Sequence, residues 1–269
     1  MKYRKIPSEL FTKNRQKLLR ELPENSITIL HAAEIPWRSA DGSMRFIQSS
    51  DLFYLTGVDQ EETILILCPG HPDETMREIL FVRETSDLIA IWEGHKLTKE
   101  QATGVSGISS VRWIEEFEPI LRRLARENDT IVLNYNEHAR SAAPVNYSRE
   151  DRFREWCQDL YPSHNYKRLA PLLHAIRVEK SEHEIDLIQT ACNITADGFA
   201  RILKFVKPGV KEYEIEAEFL HEFIRQGSRG FAYEPIIASG NNANVLHYLS
   251  NDQVCEDGGL LLMDVAAEY

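Results

Sequence analysis

Short, uninterrupted apolar runs alternate with helix-patterned stretches through the first half of this chain, and that alternation leaves few folds open. The runs are Ile27-Thr28-Ile29-Leu30, Thr63-Ile64-Leu65-Ile66-Leu67, Ile79-Leu80-Phe81-Val82, Leu88-Ile89-Ala90-Ile91-Trp92 and Ile131-Val132-Leu133-Asn134-Tyr135. Apolar runs of strand length, without polar alternation, are what strands covered on both faces look like. Helical patterns fall between them. Ser8 is placed to cap a helix running to about Leu22, with Leu10, Phe11, Leu18 and Leu19 as its apolar stripe, and Pro23-Glu24-Asn25 stops it. Residues 113–127 suit a helix with Pro119 in its first turn. From Asn136 to about Tyr166 the chain is polar and irregular, with one helix expected at 151–160. The pattern predicts an α/β (α+β) protein in which helices cover a central sheet.

The second half reads differently. Ser181 and Glu184 form a capping box, in which the hydroxyl and the carboxylate satisfy free amides of a first helical turn. Behind it Ile185, Ile188, Cys192, Thr195, Phe199, Ile202 and Val206 recur at steps of three and four, predicting one long helix with that face inward, ended by Lys207-Pro208-Gly209. A second amphipathic helix is expected over 212–226, with Ile215, Phe219 and Phe223 on one face and Gly227-Ser228-Arg229-Gly230 closing it. Strands are expected over 233–238 and 260–264, the latter delivering Asp264 to its end. The domain boundary is placed near 167–177, separating an amino-terminal domain (1–170) from a second one (171–269).

Composition narrows the partners. A formal net charge of −11, with dispersed Lys and Arg, argues against nucleic acid or an anionic membrane surface. No apolar run approaches the roughly 20 residues that span a bilayer, and no apolar stretch follows the basic start Met1-Lys2-Tyr3-Arg4-Lys5, so a cytoplasmic protein is expected. Cys68, Cys157, Cys192 and Cys255 are far apart and form no C-x-x-C pair, as expected of reduced, mostly buried thiols. His183 and His221 lie among charged residues, and Asp252, Glu256 and Asp257 lie in a polar turn before Gly258-Gly259; all read as solvated.

Several short motifs, in order, carry a resemblance. They are Ile176-Arg177-x-x-Lys180-Ser181-x-x-Glu184-Ile185, Tyr233-x-x-Ile236-Ile237-Ala238-Ser239-Gly240-Asn241, Leu246-His247-Tyr248 and Leu262-Met263-Asp264-Val265-Ala266-Ala267-Glu268-Tyr269. The first half adds Gln48-Ser49-Ser50-Asp51-Leu52-Phe53-Tyr54-Leu55-Thr56-Gly57 and Ile91-Trp92-Glu93-Gly94. Together they resemble the Xaa-Pro aminopeptidases (aminopeptidase P) of the pita-bread metallopeptidases, a group that includes prolidase, methionine aminopeptidase and creatinase. The resemblance implies a creatinase-like amino-terminal domain followed by the first half of a pita-bread catalytic domain.

It further implies two divalent ions, usually manganese, which generate the nucleophile and polarise the scissile carbonyl. Asp264 matches the family's first metal-binding Asp. His247 matches the non-ligand His that contacts the scissile carbonyl or the charge developing there, a role that suits an imidazole donor. Tyr233 matches an aromatic residue near the metals. Asp41 and Trp92 match residues that reach into a neighbouring subunit's site, implying a homo-oligomer, dimer or tetramer. The implied substrates are short peptides with proline in second position. One carboxylate cannot hold such ions. The second Asp, the His and the two Glu would follow Tyr269, so these 269 residues alone are expected to be inactive, as part of a longer enzyme. Two other readings stay open: a non-catalytic pita-bread module that binds peptide or protein, and a prolidase acting on X-Pro dipeptides.

Overall fold

The computed structural model describes residues 3–137 and 148–269; the rest of the irregular stretch read after Asn136, and the first two residues of the basic start, lie outside the described residues. Contacts divide the chain into two compact units, Ile6–Glu179 and Lys180–Tyr269, the second joined by the described part of Met1–Lys5.

In chain order the unit Ile6–Glu179 contains α1 (Ser8–Glu21), β1 (Ser26–His31), β2 (Trp37–Ser39), β3 (Gly42–Ser43), α2 (Ser50–Thr56), β4 (Ile64–Leu67) and β5 (Glu78–Val82). It continues through α3 (Asp87–Glu93), α4 (Lys99–Ser106), β6 (Ser110–Trp113), α5 (Phe117–Glu127), β7 (Thr130–Leu133), α6 (Arg149–Leu160), β8 (Asn165–Arg168) and α7 (Ala170–Arg177). Six strands make one mixed sheet in the order β6-β5-β4-β1-β7-β8. β1 runs antiparallel to β4, opposing Ile29 to Ile66, and parallel to β7, opposing Ile29 to Leu133. Strand alternation sorts the apolar side chains onto two faces. Leu30, Leu65, Leu67, Leu80, Val82 and Val132 pack with Leu18, Leu52, Leu55, Ala102 and Leu173 from α1, α2, α4 and α7. Ile27, Ile29, Ile64, Ile66, Ile79, Phe81 and Ile131 pack on the other side with Leu121 and Leu124 of α5 and Cys157 of α6. The continuous apolar runs are continuous because both faces are covered.

The run Leu88–Trp92 is not a strand. It forms the short helix α3, whose Ser86 hydroxyl caps the amide of Ile89 at 3.2 Å. None of its residues is buried. A five-residue apolar run fits either state, and here the capping serine decides locally. β6 continues the sheet instead, taking Trp113 from the start of the expected helix, while Pro119 falls in the first turn of α5. At the chain start Ser8 is the first residue of α1 and does not cap it; Pro7 precedes the helix without a side-chain bond.

One charged side chain stitches this unit together. Arg15 of α1 is fully buried. Its guanidinium donates to the Leu55 carbonyl at the end of α2, to the Ser106 carbonyl at the end of α4 and to Glu78 Oε2 of β5, each at 2.8 Å. The motif at 48–57 serves the same unit. The Gln48 side chain accepts from the amides of Ala33 and Ser49 and donates to the carbonyls of Val58 and Gln60. Asp51 accepts from Arg177 at 2.6 Å and from Asn134 at 2.9 Å, and the Arg177 guanidinium lies 5.1 Å from the Tyr54 ring centre. Gly57 ends α2 at φ +66°, and a Cβ there would stand 2.1 Å from the Phe11 ring. Both the backbone and the space exclude a side chain.

The unit Lys180–Tyr269 pairs two helices, α8 (Glu182–Phe205) and α9 (Glu212–Arg225), with four short strands: β9 (Gly230–Phe231), β10 (Ile236–Ser239), β11 (Leu261–Asp264) and β12 (Ala267–Glu268). α8 starts at the Ser181–Glu184 capping box, and α9 buries Ile215, Phe219 and Phe223. The expected stripe of α8 holds in its second half, where Ile202 is buried and Phe199 and Val206 pack on the core, but Ile194 and Gly198 are buried beside it while Ile185 and Ile188 are 54% and 51% exposed. The reason is contact between the helices. A Cβ at Gly198 would come within 2.7 Å of the Phe223 ring, so the rings of α9 sit directly against the bare α8 backbone. β10 pairs antiparallel with β11, and β9 with β12. Three of the four cysteines are buried, Cys192 is exposed, and all are free.

Candidate active site

The strand pair β10–β11 sets the site's geometry. Its register opposes Ile236 to Asp264, so the carboxylate emerges at the end of the pair, beside the turn that carries Tyr233. The Tyr233 hydroxyl donates to Asp264 Oδ1 at 2.5 Å. Asp264 is exposed and Tyr233 is 46% exposed, so the pair faces open space. The bond to Asp264, with burial second, pushes the Tyr233 phenol up to about 12. A phenol held protonated beside a carboxylate fixes that carboxylate's direction and leaves its other oxygen for a further partner.

The folded state holds the Tyr233 proton more tightly than the unfolded chain, whose phenol titrates near 10. The pair therefore favours folding below pH 10, and its contribution fades as pH rises from 10 to about 12. Comparing tyrosinate absorbance of the wild type with Tyr233→Phe should reveal one phenol ionising well above 10. Asp264→Asn should bring that phenol back down. A Tyr233 ionisation near 10 in the wild type would contradict the bond.

A second cluster lies at the other end of β10, around Glu212, the first residue of α9 and fully buried. Glu212 Oε1 accepts from the Ser239 amide at 2.6 Å and from its hydroxyl at 2.7 Å. Oε2 accepts from the Tyr248 hydroxyl at 2.8 Å and from the Gln253 amide at 2.9 Å. Burial raises the Glu212 pKa, but the bonds from Ser239, Gln253 and Tyr248 outweigh it and hold the carboxyl below its ordinary range. Tyr248 is pushed up to about 12, by burial first and then by Glu212. Asn251, at φ +44°, accepts from the Ile237 amide and donates to the Pro235 carbonyl and Glu216. The S-G-x-N and H-Y motifs thus belong to one hydrogen-bonded segment.

Of the site residues expected from sequence, Tyr233 and Asp264 are in direct contact. His247 is exposed, next to the anchored Tyr248, and makes no hydrogen bond with either among the described residues. Asp41 and Trp92 belong to the unit Ile6–Glu179: Asp41 is exposed between β2 and β3, and Trp92 is 81% exposed on α3. Glu212 has no mark in the sequence, because an acidic residue opening a helix is common there for the helix dipole alone. Among the described residues no group of three or more His, Cys, Asp or Glu could hold a metal ion, so Asp264 does not make a divalent-ion site with them. No described helix is long and apolar enough to cross a membrane.

Residues 11–133 match the family model of the aminopeptidase P N-terminal domain, and 186–269 match that of metallopeptidase family M24. The chain is an aminopeptidase P amino-terminal domain joined to an M24 metallopeptidase segment. The chain is 31% identical over 265 residues to a Xaa-Pro aminopeptidase of Escherichia coli, covering 98% of itself and 60% of that protein. It is 30% identical over 278 residues to a Xaa-Pro dipeptidase of Mus musculus, covering 98% of itself and 54% of the relative. The solved structure of E. coli aminopeptidase P with the inhibitor Pro-Leu superposes with a TM-score of 0.83 at 30% identity, over 99% of this chain and 60% of that one. The chain thus spans little more than half the length of these relatives. The family and the α/β architecture expected from the motifs are those found, with the creatinase-like domain first and part of the pita-bread domain second. Family M24 implies a divalent metal cofactor.

Proposed function

We propose that the natural full-length protein is a metal-dependent Xaa-Pro aminopeptidase that releases the first residue from short peptides with proline second. The observation that carries the reading is the Tyr233–Asp264 pair at the open end of β11, inside the M24 segment. In this reading Asp264 supplies one ligand to a pair of divalent ions, manganese by family resemblance. Such ions would supply the Lewis acid and the activated water. The remaining ligands come from outside the described residues, which do not complete such a site around Asp264.

What the chain's own residues contribute is orientation. Tyr233 holds the Asp264 carboxylate in one direction through its hydroxyl. His247, exposed and next to an anchored tyrosine, is the donor proposed to meet the scissile carbonyl as it gains negative charge. Proline suits such a site because its amide bears no hydrogen and its ring fixes the backbone, so a cleft built without an acceptor at that nitrogen selects it. Asp41 and Trp92 are proposed to act across a subunit boundary in a homo-oligomer; Trp92 at 81% exposure offers the area for such a contact. A cytoplasmic location is part of the same proposal.

Relatives named aminopeptidase and dipeptidase both resemble the chain, so length selectivity is the test. The full-length protein, supplied with manganese, should release the first residue from an X-Pro-Y tripeptide and leave the matching X-Ala-Y tripeptide intact. Cleavage restricted to the X-Pro dipeptide would move the assignment to a dipeptidase. Peptide binding without cleavage would make it a binding module.

A further inference from the structure

We infer that Glu212 is the positioning residue of the His247 segment: one buried carboxylate that fixes both ends and the middle of the stretch 239–253. The inference rests on the reading of His247 as the group that faces substrate. Ser239 stands at the start of the stretch, Tyr248 follows His247 directly, and Gln253 stands at its end; all three donate to the same side chain. Between these anchors the chain is a 3₁₀ turn and irregular backbone, with Val245, Leu246, His247 and Leu249 exposed. No sheet ladder restrains it there. Glu212 itself begins α9, whose Ile215, Phe219 and Phe223 are buried, so the anchor is attached to the unit's core.

The chemistry requires a carboxylate. Each Glu212 oxygen accepts one backbone amide and one hydroxyl. The two hydroxyls can rotate and accept, but the amides of Ser239 and Gln253 can only donate. A glutamine presents an NH₂ to one of those amides whichever way it is turned, leaving that part-buried donor without its acceptor. Aspartate is one methylene too short to reach both. Glu212 touches no reacting group, so its effect on chemistry passes through the placement of His247.

The test uses the natural full-length protein, as wild type, Glu212→Gln and Tyr248→Phe. Amide hydrogen exchange in Glu212→Gln should rise about tenfold or more across 239–253, while α8 and the body of α9 keep wild-type protection. Tyr248→Phe removes one donor, leaves no amide unpaired, and should show a smaller rise confined to the same stretch. With an X-Pro-Y tripeptide, kcat should fall about tenfold or more in Glu212→Gln while KM stays within about threefold, as expected of misplaced chemistry and intact binding. Wild-type exchange over 239–253 in both variants would overturn the inference, as would loosening spread evenly over the unit in Tyr248→Phe. Should Glu212→Gln not fold, the Tyr248→Phe exchange pattern decides. If the wild type cleaves no X-Pro peptide, the functional reading fails, and the exchange measurement still decides whether Glu212 holds the segment.

Discussion

Arg15→Met is expected to cost the unit Ile6–Glu179 about 3–5 kcal/mol, the loss typical of removing one partner from a buried ionic cluster. The methionine keeps much of the side-chain length but donates nothing. The carbonyls of Leu55 and Ser106 lose their Arg15 donor inside the protein, and Glu78 loses the guanidinium at 2.8 Å. Each buried polar group left without a partner costs about 1–3 kcal/mol, which alone accounts for most of the expected loss. Urea unfolding followed by a probe in this unit should show a midpoint well below that of the wild type at similar slope. A loss under about 1 kcal/mol would mean that water or a neighbouring donor replaces the guanidinium, and the view of Arg15 as the tie between α1, α2, α4 and β5 would be wrong.

Asp264→Asn is expected to act far more on chemistry than on stability, where it loses only the contribution of the exposed Tyr233 bond. The residue is exposed at the end of β11, and exposed substitutions usually change stability by no more than about 0.5 kcal/mol. Asparagine preserves the shape and an oxygen for Tyr233, but removes the charge a hard cation needs. Losing an outer partner of a metal ligand costs about 10–100-fold in affinity or activity, and losing a ligand should cost at least that. In the full-length protein, X-Pro cleavage should therefore fall by on the order of 100-fold or more, with thermal unfolding lowered only slightly by the weakened Tyr233 bond. A variant that keeps wild-type activity would remove Asp264 from the site.

The sheet was legible because burial on both faces leaves a plain mark: the runs at Ile27, Ile64, Ile79 and Ile131 all became paired strands. Leu88–Trp92 carries the same mark without the burial, and the capping hydroxyl of Ser86 was the signal that separates it. The helix α9 was readable from Ile215, Phe219 and Phe223, whereas the inward face of α8 was readable only in its second half, at Phe199, Ile202 and Val206. A glycine contact such as Gly198 against Phe223 depends on the partner's rings, which periodicity within one helix does not report. Asp264 and Tyr233 were singled out through short motifs, and the structure shows a hydrogen bond between them. Glu212 was invisible because its partners Ser239, Tyr248 and Gln253 lie 27, 36 and 41 residues away. No local spacing encodes such a cluster.

Metal-dependent proteolysis by the full-length protein, measured on wild type and Asp264→Asn in parallel, tests the metallopeptidase assignment most directly. First-residue release from an X-Pro-Y tripeptide should stop on chelation, return with added manganese, and stay low in the variant at every metal concentration. Release that survives chelation, or that is equal in both proteins, would contradict the assignment of Asp264 to a metallopeptidase site.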